Sequence, residues 1–360
     1  MPLFLPNKTY TIPSTGHKYA YIYYPPSNGS KPTLLFLHGF PSTSHDWRFQ
    51  IPHFRSLGYG TLAPDLLGYG ATDKPTDVRC YLGSEMSKEI IAILDHEGLG
   101  LKDAKGSGGV VAIAHDWGTY VLSQLASRYQ DRFEKFVFMS VPYTIPGRRT
   151  DIEMVNKRTK EKFGYEMMGY WLLFSTPRAG KVLGENWENF FNAMYPADPA
   201  IWKTAFAPTD AMERFITTTS PLVSSSLLAP YITEEDKVHH HSAFGSDYSA
   251  PCTWYVRGIS SLGVEEEKDS IKNGKIKEKI GKETLMIATV NDPVGSPERA
   301  RMGMQAGVEG GLAGGKLAIV EVDSGHWVML QRAEETNRIL EEFFETGVKG
   351  VGKSRFKASL

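Results

Sequence analysis

Short apolar runs of strand length recur in the first and last parts of the chain, separated by stretches with helical spacing. They are TLLFLHG (33–39), GTLAPD (60–65), GVVAIAHD (109–116), KFVFMSVP (135–142), TLMIATVND (284–292) and KLAIVEVDSGH (316–326). Apolar strands that alternate with helices are typical of a parallel sheet covered on both faces. The pattern therefore predicts an α/β fold, a mostly parallel sheet flanked by helices, with an antiparallel edge ribbon at 17–26.

The strand-helix rhythm stops between about Pro146 and Trp254. Aromatic residues and methionines crowd helical stretches there: YEMMGYWLLF (165–174), NWENFFNAMY (186–195) and DAMERFITTT (210–219). We interpret 146–280 as an inserted helical cap followed by a charged connector, which we expect to be a solvated loop or an exposed helix. The remaining chain divides into sheet-bearing core parts at 1–145 and 281–346, and a flexible tail at 347–360.

Composition excludes several classes of function. A formal net charge of -1 gives no reason to expect a nucleic-acid partner, and the two cysteines, Cys80 and Cys252, have no metal-site spacing. Apolar runs stay below the roughly 18 residues that cross a membrane, and the beginning of the sequence lacks a signal-peptide pattern. We expect a cytoplasmic protein without a membrane span, and a homodimer stays open. The final KASL matches a peroxisomal address only in its last leucine.

Two further motifs lack the context that their function needs. GVKGVGKS (347–354) fits the letters of a phosphate-binding loop, but a charged helix precedes it where a strand is required. The three consecutive histidines at 239–241 cannot share one helical face, so they do not predict a metal site. We therefore expect no nucleotide, metal or other cofactor.

The stretch AHDWG (114–118) places Asp116 at a tight turn between an apolar strand and a helix, flanked by small residues. This spacing is that of a nucleophile elbow, whose usual occupant is serine. An aspartate at a strand end can instead cap the following helix, so that alternative stays open. Three further motifs make a purely helix-capping role of Asp116 less favoured. They are HGFP (38–41) after the first parallel strand, NDP (291–293) and SGHW (324–327).

These motifs occur in the chain order nucleophile, acid, histidine, and together they resemble the epoxide hydrolase branch of the α/β-hydrolase fold. The resemblance covers both sheet portions well and the cap more loosely. It implies that Asp116 is the nucleophile, His326 the base and Asp292 its orienting acid. Backbone N–H groups of Phe40 and Trp117 would form the oxyanion hole. The resemblance also implies a cis Phe40–Pro41 peptide.

The family also has two cap tyrosines that hold the epoxide oxygen. TWYVRG (253–258) matches one such segment and gives Tyr255, and YWLLFSTP (170–177) matches the other and gives Tyr170. Tyr165 lies close enough in sequence to compete with Tyr170. Similarly, Asp323 is near His326 in sequence and could compete with Asp292. We expect His38 to stabilise its loop by hydrogen bonds.

An aspartate nucleophile selects a particular chemistry. Serine would open an epoxide to give an ether, whereas aspartate gives an ester that an activated water can hydrolyse. The resemblance therefore implies hydrolysis of an apolar epoxide to a vicinal diol through an Asp116 ester. Haloalkane dehalogenation uses the same ester chemistry, but that group has asparagine at the position of Phe40 and lacks the tyrosine pair. A non-catalytic ligand-binding protein and an enzyme that steers ring opening to cyclisation also remain open.

The predicted cap also carries apolar side chains of pocket-lining type. They are Phe163, Met167, Met168, Trp171 and Phe174, and they could either line a substrate pocket or pack against the core.

Overall fold

The computed structural model describes residues 3–100 and 109–351, and within these ranges eight strands form one sheet. The strands are β1 Lys8–Thr11, β2 Lys18–Tyr24, β3 Thr33–Leu37, β4 Gly60–Pro64, β5 Val110–His115, β6 Lys135–Met139, β7 Glu283–Thr289 and β8 Leu317–Val322. Their order across the sheet is β1-β2-β4-β3-β5-β6-β7-β8. β2 is antiparallel to β1 and β4, and all other neighbours are parallel. The predicted fold class is confirmed, although β1, not β2, is the edge strand.

The helices of the described ranges, in chain order, fall before, within and after a long insertion between β6 and β7. They are α1 Gln50–Ser56, α2 Gly83–His96, α3 Gly118–Arg128, α4 Ile152–Phe163, α5 Tyr170–Phe174, α6 Ala179–Glu185, α7 Trp187–Met194, α8 Trp202–Ala205, α9 Ala211–Thr218, α10 Pro221–Ser225, α11 Glu234–Phe244, α12 Ser249–Ile259, α13 Val264–Lys272, α14 Pro297–Gly307, α15 Val328–Gln331 and α16 Ala333–Thr346. Short 3-10 turns occur at Ser44–Trp47, Val78–Tyr81, Gln130–Arg132, Pro199–Ile201 and Gly347–Lys349. None of the described helices is both long and apolar enough to span a membrane.

The central parallel strands are buried from end to end, which explains their continuous apolar sequences. Every residue of β3, β4 and β5 is buried, as are all but the first residue of β6 and β7. Full burial of one large aliphatic side chain stabilises the fold by about 1.5–3 kcal/mol. Because parallel strands end at the same edge, the loops after β3, β5, β7 and β8 meet there, where ligands bind in such sheets.

The insertion between β6 and β7 lies against this carboxyl edge, held by directed hydrogen bonds as well as apolar packing. The Trp254 indole donates to Leu67 O at 2.9 Å, and the Trp327 indole donates to Met194 O at 2.7 Å. The hydroxyl of Tyr195 donates to Pro41 O at 3.1 Å. Each bond satisfies a buried polar group, which fixes the position of the insertion over the loops of the sheet.

The charged connector is less exposed than its sequence suggests. It contains α13, whose Glu267 is 4% exposed and accepts hydrogen bonds from Gly147 N at 2.6 Å and Gln124 Nε2 at 3.0 Å. This helix therefore packs partly against the core, because the buried Glu267 carboxylate accepts hydrogen bonds from residues outside the connector. Of the predicted tail, residues 352–360, including the end of GVKGVGKS, lie outside the described ranges. The predicted domain boundaries remain a prediction.

Candidate active site

Asp116 lies in the turn between β5 and α3 with a φ of 49°, in the left-handed region that non-glycine residues rarely adopt. The turn packs closely against the end of β3. A Cβ atom on Gly118 would lie 2.4 Å from Leu37 O and 2.5 Å from His38 O, so only glycine fits there. The small residue of the elbow motif thus has a steric cause, and the strained turn presents the Asp116 side chain at the strand edge.

The Asp116 carboxylate is bound by the HGFP loop and not by the helix that follows it. Its Oδ1 accepts a hydrogen bond from Phe40 N at 2.8 Å. Helix α3 begins without a side-chain cap, so the helix-cap alternative for Asp116 is wrong. In the described part of the chain, the other predicted oxyanion donor, Trp117 N–H, makes no hydrogen bond with this carboxylate.

The acid partner of His326 is Asp292. His326 Nδ1 lies 2.8 Å from Asp292 Oδ2, and Asp292 Oδ1 accepts from Val294 N at 3.0 Å. Asp323 instead accepts a bond from Asn291 Nδ2 at 2.6 Å, and its side chain is 79% exposed. The choice between the two aspartates therefore falls on Asp292, which is fully enclosed and orients the imidazole.

His326 also faces the elbow, with Nε2 3.6 Å from Asp116 Oδ2. Burial alone lowers the pKa of His326, but the charges of Asp292 and Asp116 outweigh burial and raise it to about 10. The same contacts act on the carboxylates. Burial alone raises the pKa of Asp116 and Asp292, yet their interactions with His326 bring both below the usual value. The resting site is thus an imidazolium between two carboxylates.

Two polar residues that sequence analysis missed hold the backbone of His326. His115 Nε2 donates to His326 O at 2.9 Å, and Ser140 Oγ donates to the same oxygen at 2.8 Å. Burial lowers the pKa of His115 to about 3, so its ring is neutral and the bonded Nε2 carries the proton. His115 lies next to the elbow aspartate in AHDWG, but nothing in that spacing indicates a bond to a residue 211 positions away.

The HGFP loop has the conformation expected of it. The Phe40–Pro41 peptide is cis. His38 is buried and neutral, because burial lowers its pKa; Nδ1 donates to Gly39 O at 2.9 Å and Nε2 accepts from Leu66 N at 2.9 Å. The prediction that His38 stabilises its loop is confirmed.

Tyr255 of α12 and Tyr170 of α5 are both buried above the elbow, with ring centroids 6.0 Å apart. Tyr255 also packs edge-on against Phe40 and Trp117, at centroid distances of 5.0 and 5.1 Å. Burial and the negative charge of Asp116 raise the pKa of both tyrosines, so their hydroxyls keep their protons. The Tyr165 hydroxyl has a different partner, because it donates a hydrogen bond to Pro293 O at 2.7 Å.

A cavity of about 540 Å³ opens beside Asp116, within the size range of pockets that hold small ligands. Of the apolar cap residues considered from sequence, Met168 and Trp171 line this cavity. Phe163 and Met167 line a separate cavity of about 390 Å³, which Asp292 and Pro293 also line. Phe174 is fully buried and packs against Phe40 and Tyr255. Among the described residues, no group of three or more His, Cys, Asp or Glu side chains could hold a metal ion.

Comparison with known proteins identifies a family model and several relatives that match most of the chain. The family model for the alpha/beta hydrolase fold matches residues 32–333. Epoxide hydrolase srdG of Neurospora crassa is 26% identical over 355 residues, which cover 93% of this chain and 94% of that protein. Bifunctional epoxide hydrolase 2 of Sus scrofa is 27% identical over 323 residues, covering 89% of this chain but 53% of the relative. The chain therefore spans about half of that bifunctional protein.

Solved structures show the same architecture. The crystal structure of epoxide hydrolase VrEH1 from Vigna radiata matches with a TM-score of 0.69 and 23% sequence identity. The match covers 94% of this chain and 97% of the other. At this level of identity, the likeness is one of fold.

Proposed function

Because this chain belongs to the α/β-hydrolase fold family, we propose that it is an epoxide hydrolase that converts an apolar epoxide to a vicinal diol. One observation carries the proposal: a carboxylate at the elbow faces a buried His–Asp pair on one side and two buried, protonated tyrosines on the other. Relatives that cover most of the chain bear the name epoxide hydrolase, which supports the same activity.

In the first step, one carboxylate oxygen of Asp116 attacks an epoxide carbon and forms an ester bond. The carbon–oxygen bond of the ring breaks, and its electron pair stays on the epoxide oxygen. That oxygen becomes basic as it leaves, so it takes a proton from Tyr170 or Tyr255. Neutral tyrosine is suited to this task because it donates strongly to a developing alkoxide and remains protonated at neutral pH.

Ester formation removes the charge of Asp116 and so changes the state of His326. The imidazolium loses one of its two carboxylate partners, and its pKa falls. Its proton is then available to restore the tyrosine, and the neutral imidazole can accept a proton from water. Asp292 keeps the ring oriented throughout, through its 2.8 Å contact with Nδ1. The charge of the nucleophile thereby determines when the base becomes active.

In the second step, water attacks the ester carbonyl carbon of Asp116 while His326 takes one of its protons, and negative charge develops on the carbonyl oxygen. The bond between that carbon and the diol oxygen then breaks, the diol oxygen takes the proton from His326, and the new Asp116 carboxyl group, which holds the oxygen of water, gives its own proton back to His326. The Phe40 N–H already lies 2.8 Å from Oδ1 in the resting state and is placed to stabilise that charge. We propose that Trp117 N–H joins it as the tetrahedral intermediate forms. One such donor accelerates the step by roughly 100- to 1000-fold.

The tyrosine pair distinguishes epoxide opening from dehalogenation. A halide leaves as a stable anion and needs no proton, so dehalogenation gives two buried, protonated tyrosines no role. An opened epoxide needs an acid at this place. The residues around Asp116 therefore favour the epoxide as substrate over the haloalkane.

A single turnover in ¹⁸O-water, with enzyme in excess, tests the ester route. Water enters at the Asp116 carbonyl, so the diol should be mostly unlabelled and the peptide that contains Asp116 should carry the label. After many turnovers the label should pass into product as the carboxylate oxygens exchange. A labelled diol in the first turnover, with an unlabelled peptide, would mean that water attacks the epoxide directly and would overturn Asp116 as nucleophile.

A further inference from the structure

Tyr195 follows the last residue of α7 in the cap, and its side chain is bonded to the loop that carries the oxyanion donor. The Tyr195 hydroxyl donates to Pro41 O at 3.1 Å, and Pro41 directly follows Phe40 in the chain. Tyr195 is 3% exposed, and burial raises its pKa, so the hydroxyl keeps the proton that it donates. This bond therefore restricts the position of the Phe40 N–H relative to the cap.

The same turn of the cap also holds the loop that carries His326. The carbonyl oxygen of Met194 accepts a hydrogen bond from the Trp327 indole at 2.7 Å. The Trp327 ring also stacks on the Tyr195 ring, with centroids 4.7 Å apart and planes inclined by 30°. Trp327 directly follows His326 in the chain, so this packing limits the movement of the imidazole relative to Tyr195.

Tyr195 is held in place mainly by the cap itself. Its backbone N–H donates to Phe191 O at 3.2 Å, and its carbonyl oxygen accepts from Ala229 N at 2.8 Å. Its ring also packs against the Phe191 ring, with centroids 4.9 Å apart. Tyr195 is not among the described residues that line the cavity beside Asp116. Removal of its hydroxyl therefore acts on the two loops and leaves the wall of the cavity intact.

The two groups that these loops carry, the Phe40 N–H and the His326 imidazole, both act in ester hydrolysis. When the ring opens, negative charge leaves the Asp116 carboxylate, so a donor to this carboxylate stabilises the starting state more than the transition state. When water attacks the ester, charge develops on the same group and the donor stabilises the transition state. His326 accepts the proton of water in that second step. The acids for ring opening, Tyr170 and Tyr255, belong instead to α5 and α12.

We infer that Tyr195 is a positioning residue for ester hydrolysis, because it holds the oxyanion loop and the His326 loop at the spacing that the second step requires. The inference rests on the proposed epoxide hydrolysis and assigns its two steps to different parts of the cap. A purely structural role of Tyr195 is the alternative. That role would lower stability or slow both steps, whereas the positioning role slows only the second.

The experiment measures the two steps separately in Tyr195→Phe, which removes the bond to Pro41 O and keeps the stacked ring. The substrate is styrene oxide or an aliphatic terminal epoxide, whichever the wild-type protein converts faster. Reactions are quenched in acid, and intact-mass spectrometry gives the fraction of protein that carries the ester. The initial rate of ester formation reports ring opening. The value of kcat divided by the ester fraction at steady state reports ester hydrolysis.

In Tyr195→Phe, the rate constant of ester hydrolysis should fall by roughly 5- to 50-fold. This loss is smaller than the roughly 100- to 1000-fold loss expected when an oxyanion donor is removed outright, because the donor is displaced but present. The rate constant of ring opening should not change. A second variant, Trp327→Phe, removes the bond to Met194 O and should also slow ester hydrolysis selectively.

Tyr81→Phe is the matched control. Tyr81 is also buried, and its hydroxyl also donates to a proline carbonyl, Pro75 O, at 2.6 Å. Tyr81 lies in neither of the two loops that Tyr195 contacts, and it is not among the described residues that line the cavity. Tyr81→Phe should lower the free energy of unfolding in urea about as much as Tyr195→Phe does, and it should keep both rate constants unchanged.

The outcomes separate the two proposals. Equal slowing of both steps in Tyr195→Phe, slowing of ring opening alone, or unchanged rate constants for both steps would overturn the positioning role and keep epoxide hydrolysis. A wild-type protein that converts neither styrene oxide nor an aliphatic terminal epoxide to a diol would overturn the proposed function itself.

Discussion

Replacement of Asp116 by Asn should lower the pKa of His326, because it removes one of the two charges that stabilise the imidazolium. His326 Nε2 lies 3.6 Å from Asp116 Oδ2. At this separation and an effective dielectric constant of about 20, the attraction is about 4.6 kcal/mol. One pKa unit corresponds to about 1.4 kcal/mol, so the pKa of His326 should fall by up to about 3 from its value near 10. Asp292 remains in contact and prevents a fall to the value of an isolated buried histidine.

The pKa is measured by nitrogen-15 NMR of histidine-labelled protein across pH, with the His326 signal identified by its loss in His326→Gln. Intact mass must show that the new amide side chain of Asp116→Asn has not hydrolysed back to a carboxylate. Asp323→Asn is the matched control: this exposed carboxylate is three residues from His326 in sequence but bonds to Asn291, so the pKa should not change. An unchanged or raised pKa of His326 in Asp116→Asn would refute the idea that the nucleophile's charge controls the base.

Three further predictions concern the reaction and the elbow. His326→Gln should open the ring and then stall, leaving a covalent adduct on Asp116 that intact-mass spectrometry detects. Tyr255→Phe should lower kcat by roughly 10- to 100-fold, since one neutral donor to a developing charge is lost, and adding Tyr170→Phe should abolish ring opening in stopped-flow assays. Gly118→Ala should destabilise the fold by about 3 kcal/mol in urea denaturation, because its Cβ would overlap the carbonyl of Leu37.

Each of these has its own control. A folded His326→Gln protein that binds substrate without any adduct would contradict the two-step scheme. Tyr165→Phe should reduce ring opening less than Tyr170→Phe, because the Tyr165 hydroxyl is bonded to Pro293 O; the reverse order would reassign the acid. Gly29→Ala, at a site with no atom within 4 Å of the added methyl, should change stability far less than Gly118→Ala.

The apolar runs determined the sheet, because a strand buried on both faces requires continuous apolar sequence and little else competes for such segments. The six runs recognised in the sequence became β3 to β8. β1 was not predicted from the sequence, because its four residues KTYT are mostly exposed and form no apolar run. The elbow could also be predicted from the sequence. Its geometry imposes local steric limits around Asp116 and Gly118, and small flanking residues are the sequence pattern that meets these limits.

Only the tertiary structure could choose between residues that are close in sequence and similar in chemistry. Asp292 belongs to the NDP motif, which precedes His326 in the expected order, and Asp323 is close to His326 in sequence. The loop after β7 brings only Asp292 to the imidazole. Tyr165 and Tyr170 are only a few residues apart in sequence, and the bond from Tyr165 to Pro293 leaves Tyr170 beside Tyr255. Which of two similar side chains reaches the site depends on how loops that are distant in sequence pack together, and one-dimensional spacing does not contain that information.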